Sequence, residues 1–278
     1  MSKTALVVAI SDYRRLSKNL PGARTDFEEW GALLSDFGYA VTPLLNEQAT
    51  KRAILRGVAE LLRVPGDEVV IVFAGHGCRA LVDSKTKLSE GVVAFLPDDV
   101  QPSDYLAFVI FDFELPAIVA LLGAGTRLTI FLDCCYAGGL GRVDALATAA
   151  TTPQDVDRFV ILPTPTGEAI SSNAEDLVLE QLDASDDCRE PLIVAAAGQR
   201  GGAFESHNLE TGKAHGYFSF FATRVLRAQP SFSAIGLRDS IRAIIAAFHP
   251  DQLVTVDSSS CRESDPLFTR PQEDNGNG

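Results

Sequence analysis

The sequence predicts an α/β protein with an open, mostly parallel sheet and helices on both of its faces. Strand-like apolar runs alternate with helix-like segments through the first half of the chain. The first of these runs is continuously apolar, which is typical of a parallel strand covered on both faces. We therefore expect a three-layer α/β/α arrangement. In such sheets, functional sites form at the carboxyl ends of the strands.

The elements follow from apolar periodicity and from the residues that end each segment. TALVVAI stops at Ser11-Asp12, ARTDFEEWGALLSDFG ends at a glycine, and TKRAILRGVAELLRV is stopped by Pro65-Gly66. We expect a hairpin around VVAFLP and a last strand at DQLVTV. The predicted strands are 4–10, 39–45, 67–77, 127–135 and 191–198, and the predicted helices are 23–38, 50–64, 113–125, 216–228 and 237–248.

The chain of 278 residues is expected to form one domain over 1–270, followed by a disordered tail at 271–278. Inside the domain, residues 136–190 are polar and rich in Thr, Pro and Asp. A loop of this length in a compact domain is usually functional or disordered.

Composition and charge indicate the cellular location and the classes of partner. The N-terminus reads as a strand rather than a signal peptide, and no apolar run is long enough to span a membrane, so a cytoplasmic location without a membrane partner is the default. The five cysteines are odd in number and irregularly spaced, which indicates free thiols. A net charge of −13 argues against nucleic acid as a partner and suits a cationic substrate.

Two strand ends carry chemically useful residues. FAGHG ends the third strand and FLDCCYAGG ends the fourth. On neighbouring strands, His76 and Cys135 would meet at one edge of the sheet, and a thiol beside an imidazole suits nucleophilic catalysis. The N–H groups of Gly77 and Cys135 could then form an oxyanion hole.

Strand alternation separates the two adjacent cysteines. Asp133 and Cys135 are two residues apart and point to one face, whereas Cys134 points to the other and is expected to pack in the core. Asp133 could supply a negative wall for a cationic side chain. A phosphatase loop is disfavoured because Arg142 comes one position too late after Cys135, and a zinc site because no Cys-x2-Cys spacing exists.

These motifs resemble the caspase-like (clan CD) cysteine peptidases, in particular the bacterial metacaspase-like branch. FAGHG and DCCYAGG match that family's His-Gly and Asp-x-Cys-x-x-Gly motifs, and NLPGARTDFEEW matches its first helix. AAAGQRGGAFES, followed by HGYFSFFATRVL, resembles the segment after the fifth strand, with Ala203, Glu205 and Gly216 in the expected order. DPLF resembles the closing segment, so the likeness runs from about residue 4 to residue 270.

The resemblance implies a caspase-like fold and a cysteine endopeptidase with a His76/Cys135 dyad acting through a thioester. It also implies that Asp26 and Asp133 line the S1 pocket and select Arg or Lys before the cut in protein or peptide substrates. Bacterial relatives often serve antiviral defence or cell death and respond to an upstream protease or signalling protein. A catalytically silent binding module is the main alternative, and a cysteine acyltransferase or another hydrolase is a second one.

Two further expectations concern regulation. In caspase-like enzymes the linker after the nucleophile is often cut, so 136–190 is expected to be a regulatory loop of a zymogen, with Arg158 the first choice for processing and Arg142 and Arg189 the others. No cofactor is required. Some relatives bind calcium, for which Asp98, Asp99 and Asp144 are candidates.

Overall fold

The strands and helices of the structure account for most of the predicted elements. The structure is a computed structural model, and it describes residues 2–16, 18–63, 68–80, 92–100, 110–111, 126–135, 156–158, 191–197, 202–207, 212–257 and 262–268. The strands are β1 (Lys3–Ala9), β2 (Ala40–Leu45), β3 (Glu68–Ala74), β4 (Gly77–Ala80), β5 (Val92–Phe95), β6 (Ile110–Phe111), β7 (Arg127–Asp133), β8 (Val156–Asp157), β9 (Leu192–Ala195), β10 (Phe204–His207), β11 (Ala214–Gly216) and β12 (Thr255–Asp257). The helices are α1 (Pro21–Asp36), a 3-10 turn (Asn46–Gln48), α2 (Lys51–Arg63), α3 (Tyr217–Ala228) and α4 (Ala234–Ala246).

A six-stranded sheet with the order β12-β9-β7-β3-β1-β2 forms the centre of the fold. All its neighbouring strands pair in parallel except β12, which runs antiparallel to β9. The predicted open, mostly parallel sheet is therefore confirmed, and β3 and β7 are neighbours within it.

Helices cover both faces of this sheet. Alternate residues of β1 and β7 face opposite sides, because successive side chains of a strand point in opposite directions. On one side they pack against α2, through Val58 and Leu62 among others. On the other side they pack against α1, α3 and α4, with Trp30, Phe218 and Ile241 in that cluster. The three-layer α/β/α arrangement is confirmed.

Two small three-stranded sheets flank the central one. The first, β4-β5-β6, contains the predicted hairpin, since β4 and β5 pair antiparallel. The second, β11-β10-β8, was not predicted. Its strand β8 lies inside the polar stretch 136–190, so part of that stretch is a paired strand rather than a loop.

Some boundaries differ from the predictions. The third strand ends at Ala74 rather than Gly77, because the chain turns at Gly75 and enters the small sheet. Helix α4 begins before residue 237, since the Ser233 hydroxyl accepts a hydrogen bond from Gly236 N and caps it. The predicted helix at 113–125 and the tail at 271–278 lie outside the described residues. None of the helices described has the length and apolar character that a membrane crossing needs.

Candidate active site

The ends of β3 and β7 come close together at the carboxyl edge of the central sheet. Ala74 lies opposite Asp133 in the register of the two strands, and Gly75 N donates a hydrogen bond to Asp133 O at 3.3 Å. Beyond this point, a Cβ placed on Gly77 would lie only 2.2 Å from Cys135 O. Only glycine permits so close an approach of the two backbones.

The two adjacent cysteines lie on opposite sides of the sheet. Cys134 packs with Leu132 in the cluster that faces α2, whereas Cys135 belongs to the cluster on the other face. The Cys135 Sγ atom lies 3.1 Å from Ala203 N and 3.5 Å from Ala203 O. Cys135 therefore shares its side of the sheet with Asp133, as the alternation of the strand requires.

His76 is buried and held in one orientation. Its Nε2 lies 2.9 Å from Lys18 O, and a carbonyl can only accept, so Nε2 carries the proton. Its backbone N–H donates to the Tyr13 hydroxyl at 2.7 Å, that hydroxyl donates to Leu96 O, and the two rings are 4.8 Å apart. The other ring nitrogen, Nδ1, makes no hydrogen bond of ordinary geometry with the residues described.

Burial makes His76 a neutral imidazole. Removal from water lowers its pKa to about 4, although the backbone groups of Lys18 and of Arg158 oppose this shift. At neutral pH the lone pair of Nδ1 is therefore available to accept a proton, which a general base requires.

Three buried carboxylates surround the side chain of Arg158. Asp26 accepts a hydrogen bond from Nη2 of Arg158, and Glu205 Oε2 lies 3.3 Å from the same nitrogen. Asp133 faces the other terminal nitrogen, with its Oδ1 3.1 Å and its backbone oxygen 2.9 Å from Nη1. The structure thus brings both predicted S1 acids, together with Glu205, onto the residue predicted as the processing site.

Arg158 offsets part of the negative charge of these carboxylates. Burial raises the pKa values of Asp26 and Glu205, although the guanidinium opposes the rise. Burial also opposes the charge on Arg158, but the carboxylates outweigh it and raise the pKa of Arg158. The three acids therefore give this pocket a negative character that suits a buried cation.

The backbone of Arg158 lies between the β10 segment and Gly77. Strand β8 pairs antiparallel with β10, with Asp157 opposite Phe204. Arg158 N donates to Ala203 O at 2.8 Å, and Arg158 O accepts from Gly77 N at 3.0 Å. An extended segment is thus added to a strand edge, with one side chain in a pocket and its carbonyl at a candidate oxyanion donor.

Backbone N–H groups hold two of the acids in place. Gly216 N donates to both carboxylate oxygens of Asp26 at 3.1 Å, and Gly22 N donates to Oε1 of Glu205 at 3.2 Å. A Cβ on Gly216 would lie 2.4 Å from Asp133 Oδ2. A larger residue at the start of α3 would therefore fill the pocket.

The third acid, Asp133, is held by Ser219 in the first turn of α3. Its Oδ2 accepts from Ser219 N at 3.1 Å and from the Ser219 hydroxyl at 2.6 Å. That hydroxyl in turn accepts from Trp30 Nε1 at 3.0 Å. All three side chains are fully buried.

The candidate calcium ligands that are described have other partners. Asp98 Oδ2 accepts from Arg14 Nε at 2.7 Å, and Asp99 Oδ1 accepts from Lys51 N at 2.9 Å at the start of α2. No group of three or more potential metal ligands occurs among the described residues. The third calcium candidate, Asp144, lies outside the described part of the chain. The processing candidates Arg142 and Arg189 also lie outside it.

Sequence reasoning assigned no role to four residues of the site: Glu205, Ser219, Tyr13 and Lys18. Glu205 carried one signal, its position within a segment that resembles the caspase-like family. Serine is common in the first turn of helices, so the residue type of Ser219 does not distinguish it. Lys18 acts through its carbonyl, so its side-chain type offers no clue.

Comparison with known proteins agrees with this fold. The family model of the caspase domain (Peptidase_C14) matches residues 2–181. No curated protein matches the sequence. One similar solved structure is the protein GSU0716 from Geobacter sulfurreducens, with a TM-score of 0.69 and 17% identity, covering 97% of this chain and 99% of that one. Another is caspase-1 from Spodoptera frugiperda, with a TM-score of 0.58 and 15% identity, covering 98% of this chain and 91% of that one.

At these identities the two structures establish the fold, which is caspase-like. The family model covers well over half of the chain and includes both the His-Gly and the Asp-x-Cys motifs. The chain belongs to the caspase domain family of cysteine peptidases.

Proposed function

We propose that the chain is a cysteine endopeptidase that cleaves protein or peptide substrates after Arg, or Lys. The observation that carries the proposal is the placement of Arg158. Its guanidinium lies among three buried carboxylates while its carbonyl oxygen accepts from Gly77 N at 3.0 Å. A pocket that holds a cation and a donor that holds the adjacent carbonyl are the two requirements for cutting after a basic residue.

The reaction follows from the roles of two side chains. Cys135 Sγ attacks the carbonyl carbon, and its proton passes to Nδ1 of His76. The N–H groups of Gly77 and Cys135 stabilise the oxyanion. As the C–N bond breaks, His76 returns the proton to the leaving amine and a thioester remains. Water then attacks the thioester, which releases a carboxylate and restores the thiol.

The first substrate in this proposal is the chain itself, at the bond between Arg158 and Phe159. Arg158 already occupies the pocket, and its N–H donates to Ala203 O beside the Cys135 thiol. Until the thiol leaves Ala203 and reaches the carbonyl carbon, the same segment excludes other substrates. The intact chain is then a zymogen, and Arg158 is the preferred processing site.

The biological setting in this proposal rests on the family alone. It is a cytoplasmic enzyme of a bacterial defence or cell-death pathway that responds to an upstream protease or signalling protein. Calcium is an optional activator rather than a requirement, and at Asp98 it would have to compete with Arg14.

Short fluorogenic peptides with Arg, Lys or Asp before the cut test the activity. We expect hydrolysis of the Arg and Lys peptides only, abolished by Cys135→Ala and by His76→Ala, because the two residues act as a unit. Cys134→Ala, the matched control in the other core cluster, should keep substantial activity. A wild type that neither processes itself nor hydrolyses a peptide would favour a silent binding module, and acyl transfer without hydrolysis would favour the acyltransferase.

Self-processing is tested by intact mass. The wild type should yield a fragment that ends at Arg158, whereas Cys135→Ala and Arg158→Gln should not. Arg142→Gln and Arg189→Gln should leave that fragment unchanged. A fully active chain that stays whole throughout would contradict cleavage in 136–190.

A further inference from the structure

The pocket addresses the two terminal nitrogens of a guanidinium from separate sides. Nη1 of Arg158 faces Asp133, while Nη2 faces Asp26 and Glu205. A lysine has one terminal nitrogen and cannot occupy both positions at once. Discrimination between Arg and Lys therefore depends on how firmly Asp133 is held at its own side of the pocket.

Ser219 holds Asp133 in a direction that the surrounding groups dictate. The Trp30 indole N–H is a donor only, so the Ser219 oxygen must accept from it. The Ser219 proton is then directed to Asp133 Oδ2, at 2.6 Å. With Oδ2 engaged by the hydroxyl and N–H of Ser219, Oδ1 is the oxygen that faces Nη1.

We propose that Ser219 is a positioning residue that makes the pocket prefer Arg over Lys. The inference rests on the proposed function, because it concerns the same S1 pocket. Ser219 touches no substrate, and it acts by fixing the carboxylate that a guanidinium needs and an ammonium can dispense with. A hydrogen bond to a buried charged group is among the stronger ones in proteins.

The first test is peptide hydrolysis by the processed enzyme. Ser219→Ala should lower kcat/KM for an Arg peptide by about 10- to 30-fold, mainly through KM, as expected for a lost hydrogen bond to a charge. The Lys peptide should lose less than about 3-fold, so the Arg/Lys ratio falls. Ser240→Ala is the matched control, since the hydroxyl of that helical serine donates to Gly236 O within α4.

Ser219→Cys guards against a variant that fails to fold. The thiol is close to the hydroxyl in size but donates weakly, so an intermediate Arg/Lys ratio is expected. A Ser219→Cys enzyme with the full wild-type ratio would overturn the proposal, as would equal losses on Arg and Lys peptides in Ser219→Ala.

The second test needs no catalysis, because the pocket already holds Arg158. In a Cys135→Ala chain, Arg158→Lys should lower Tm by several degrees when Ser219 is present and by less than half as much when Ser219→Ala is added. Equal shifts would overturn the proposal. Coupling in this cycle without any peptide hydrolysis would leave the role of Ser219 standing and reject the proposed function. Arg-directed hydrolysis without coupling would support the proposed function and reject the role of Ser219.

Discussion

The buried imidazole of His76 links the stability of this protein to pH. The pKa of His76 is about 4 in the folded chain, below its ordinary value of 6.5, because burial disfavours the charged ring. Between these values the unfolded chain binds a proton that the folded chain does not, so the free energy of unfolding falls as pH falls through this window. This contribution is complete above pH 6.5 and lost at about pH 4.

Denaturant unfolding at several pH values between 7 and 4 checks this expectation in the Cys135→Ala chain. His76→Gln should reduce the acid-induced loss by on the order of 2–3 kcal/mol, because glutamine does not titrate. The readout is the pH slope, which is insensitive to any constant change in packing. Identical slopes with and without His76 would show that this imidazole is not held neutral.

At the scale of elements, strand β8 pairs with β10 and also carries the buried charge of Arg158, which follows it directly, into the interior. Arg158→Ala removes the cation that pairs with three buried carboxylates. Breaking one side of a buried ion pair costs on the order of 3–5 kcal/mol. In the Cys135→Ala chain we therefore expect Arg158→Ala to lower Tm by about 10 °C.

A small guanidinium compound should restore part of that loss. Millimolar agmatine is expected to raise the Tm of the Arg158→Ala chain by a few degrees, because a ligand that binds only the folded state stabilises it. The parent chain, with its pocket filled by Arg158, should show no shift. Equal shifts in both chains would place agmatine elsewhere and contradict a vacated pocket.

The central sheet was predictable because local sequence patterns mark its strands. β1, β3 and β7 are apolar runs bounded by clear breakers, and the helices between them have strong periodicity. His76 and Cys135 could be proposed as partners because parallel strand ends share an edge.

The small sheet around Arg158 could not be predicted in the same way. β8, β10 and β11 are two to four residues long and pair across large separations in sequence, so no local periodicity marks them. Arginine is rarely buried, so nothing in its sequence neighbourhood indicated that Arg158 would enter the interior. Only the folded arrangement of Asp26, Asp133 and Glu205 provides the reason.

At the scale of the whole molecule, a cut after Arg158 would divide the chain but not the fold. Residues 1–158 supply β1, β2, β3 and β7, whereas 159–278 supply β9 and β12 of the same sheet. β9 of the second fragment pairs with β7 of the first. Helices α1 and α3 pack in one core cluster to which both fragments contribute. Burial of that apolar surface should keep the two fragments together.

Native and denaturing mass measurements on the processed enzyme test this expectation. The native species should keep the mass of the whole chain, 29.8 kDa, while denaturant should separate two fragments. Processed Cys134→Ala offers a comparison with a small core truncation and an unchanged cut site. Fragments that separate under native conditions while activity persists in one of them would contradict a jointly built site.

The shared construction of the pocket also dictates when it can exist during synthesis. His76 and Cys135 leave the ribosome well before Glu205, and before Gly216 and Ser219, which hold Asp26 and Asp133 by hydrogen bonds. A nascent chain that already carries the proposed nucleophile and base therefore still lacks the groups that complete the pocket around Arg158. In the proposed enzyme, translation order would delay proteolysis until α3 has been made, and it would protect the unfinished chain and its neighbours without a separate inhibitor.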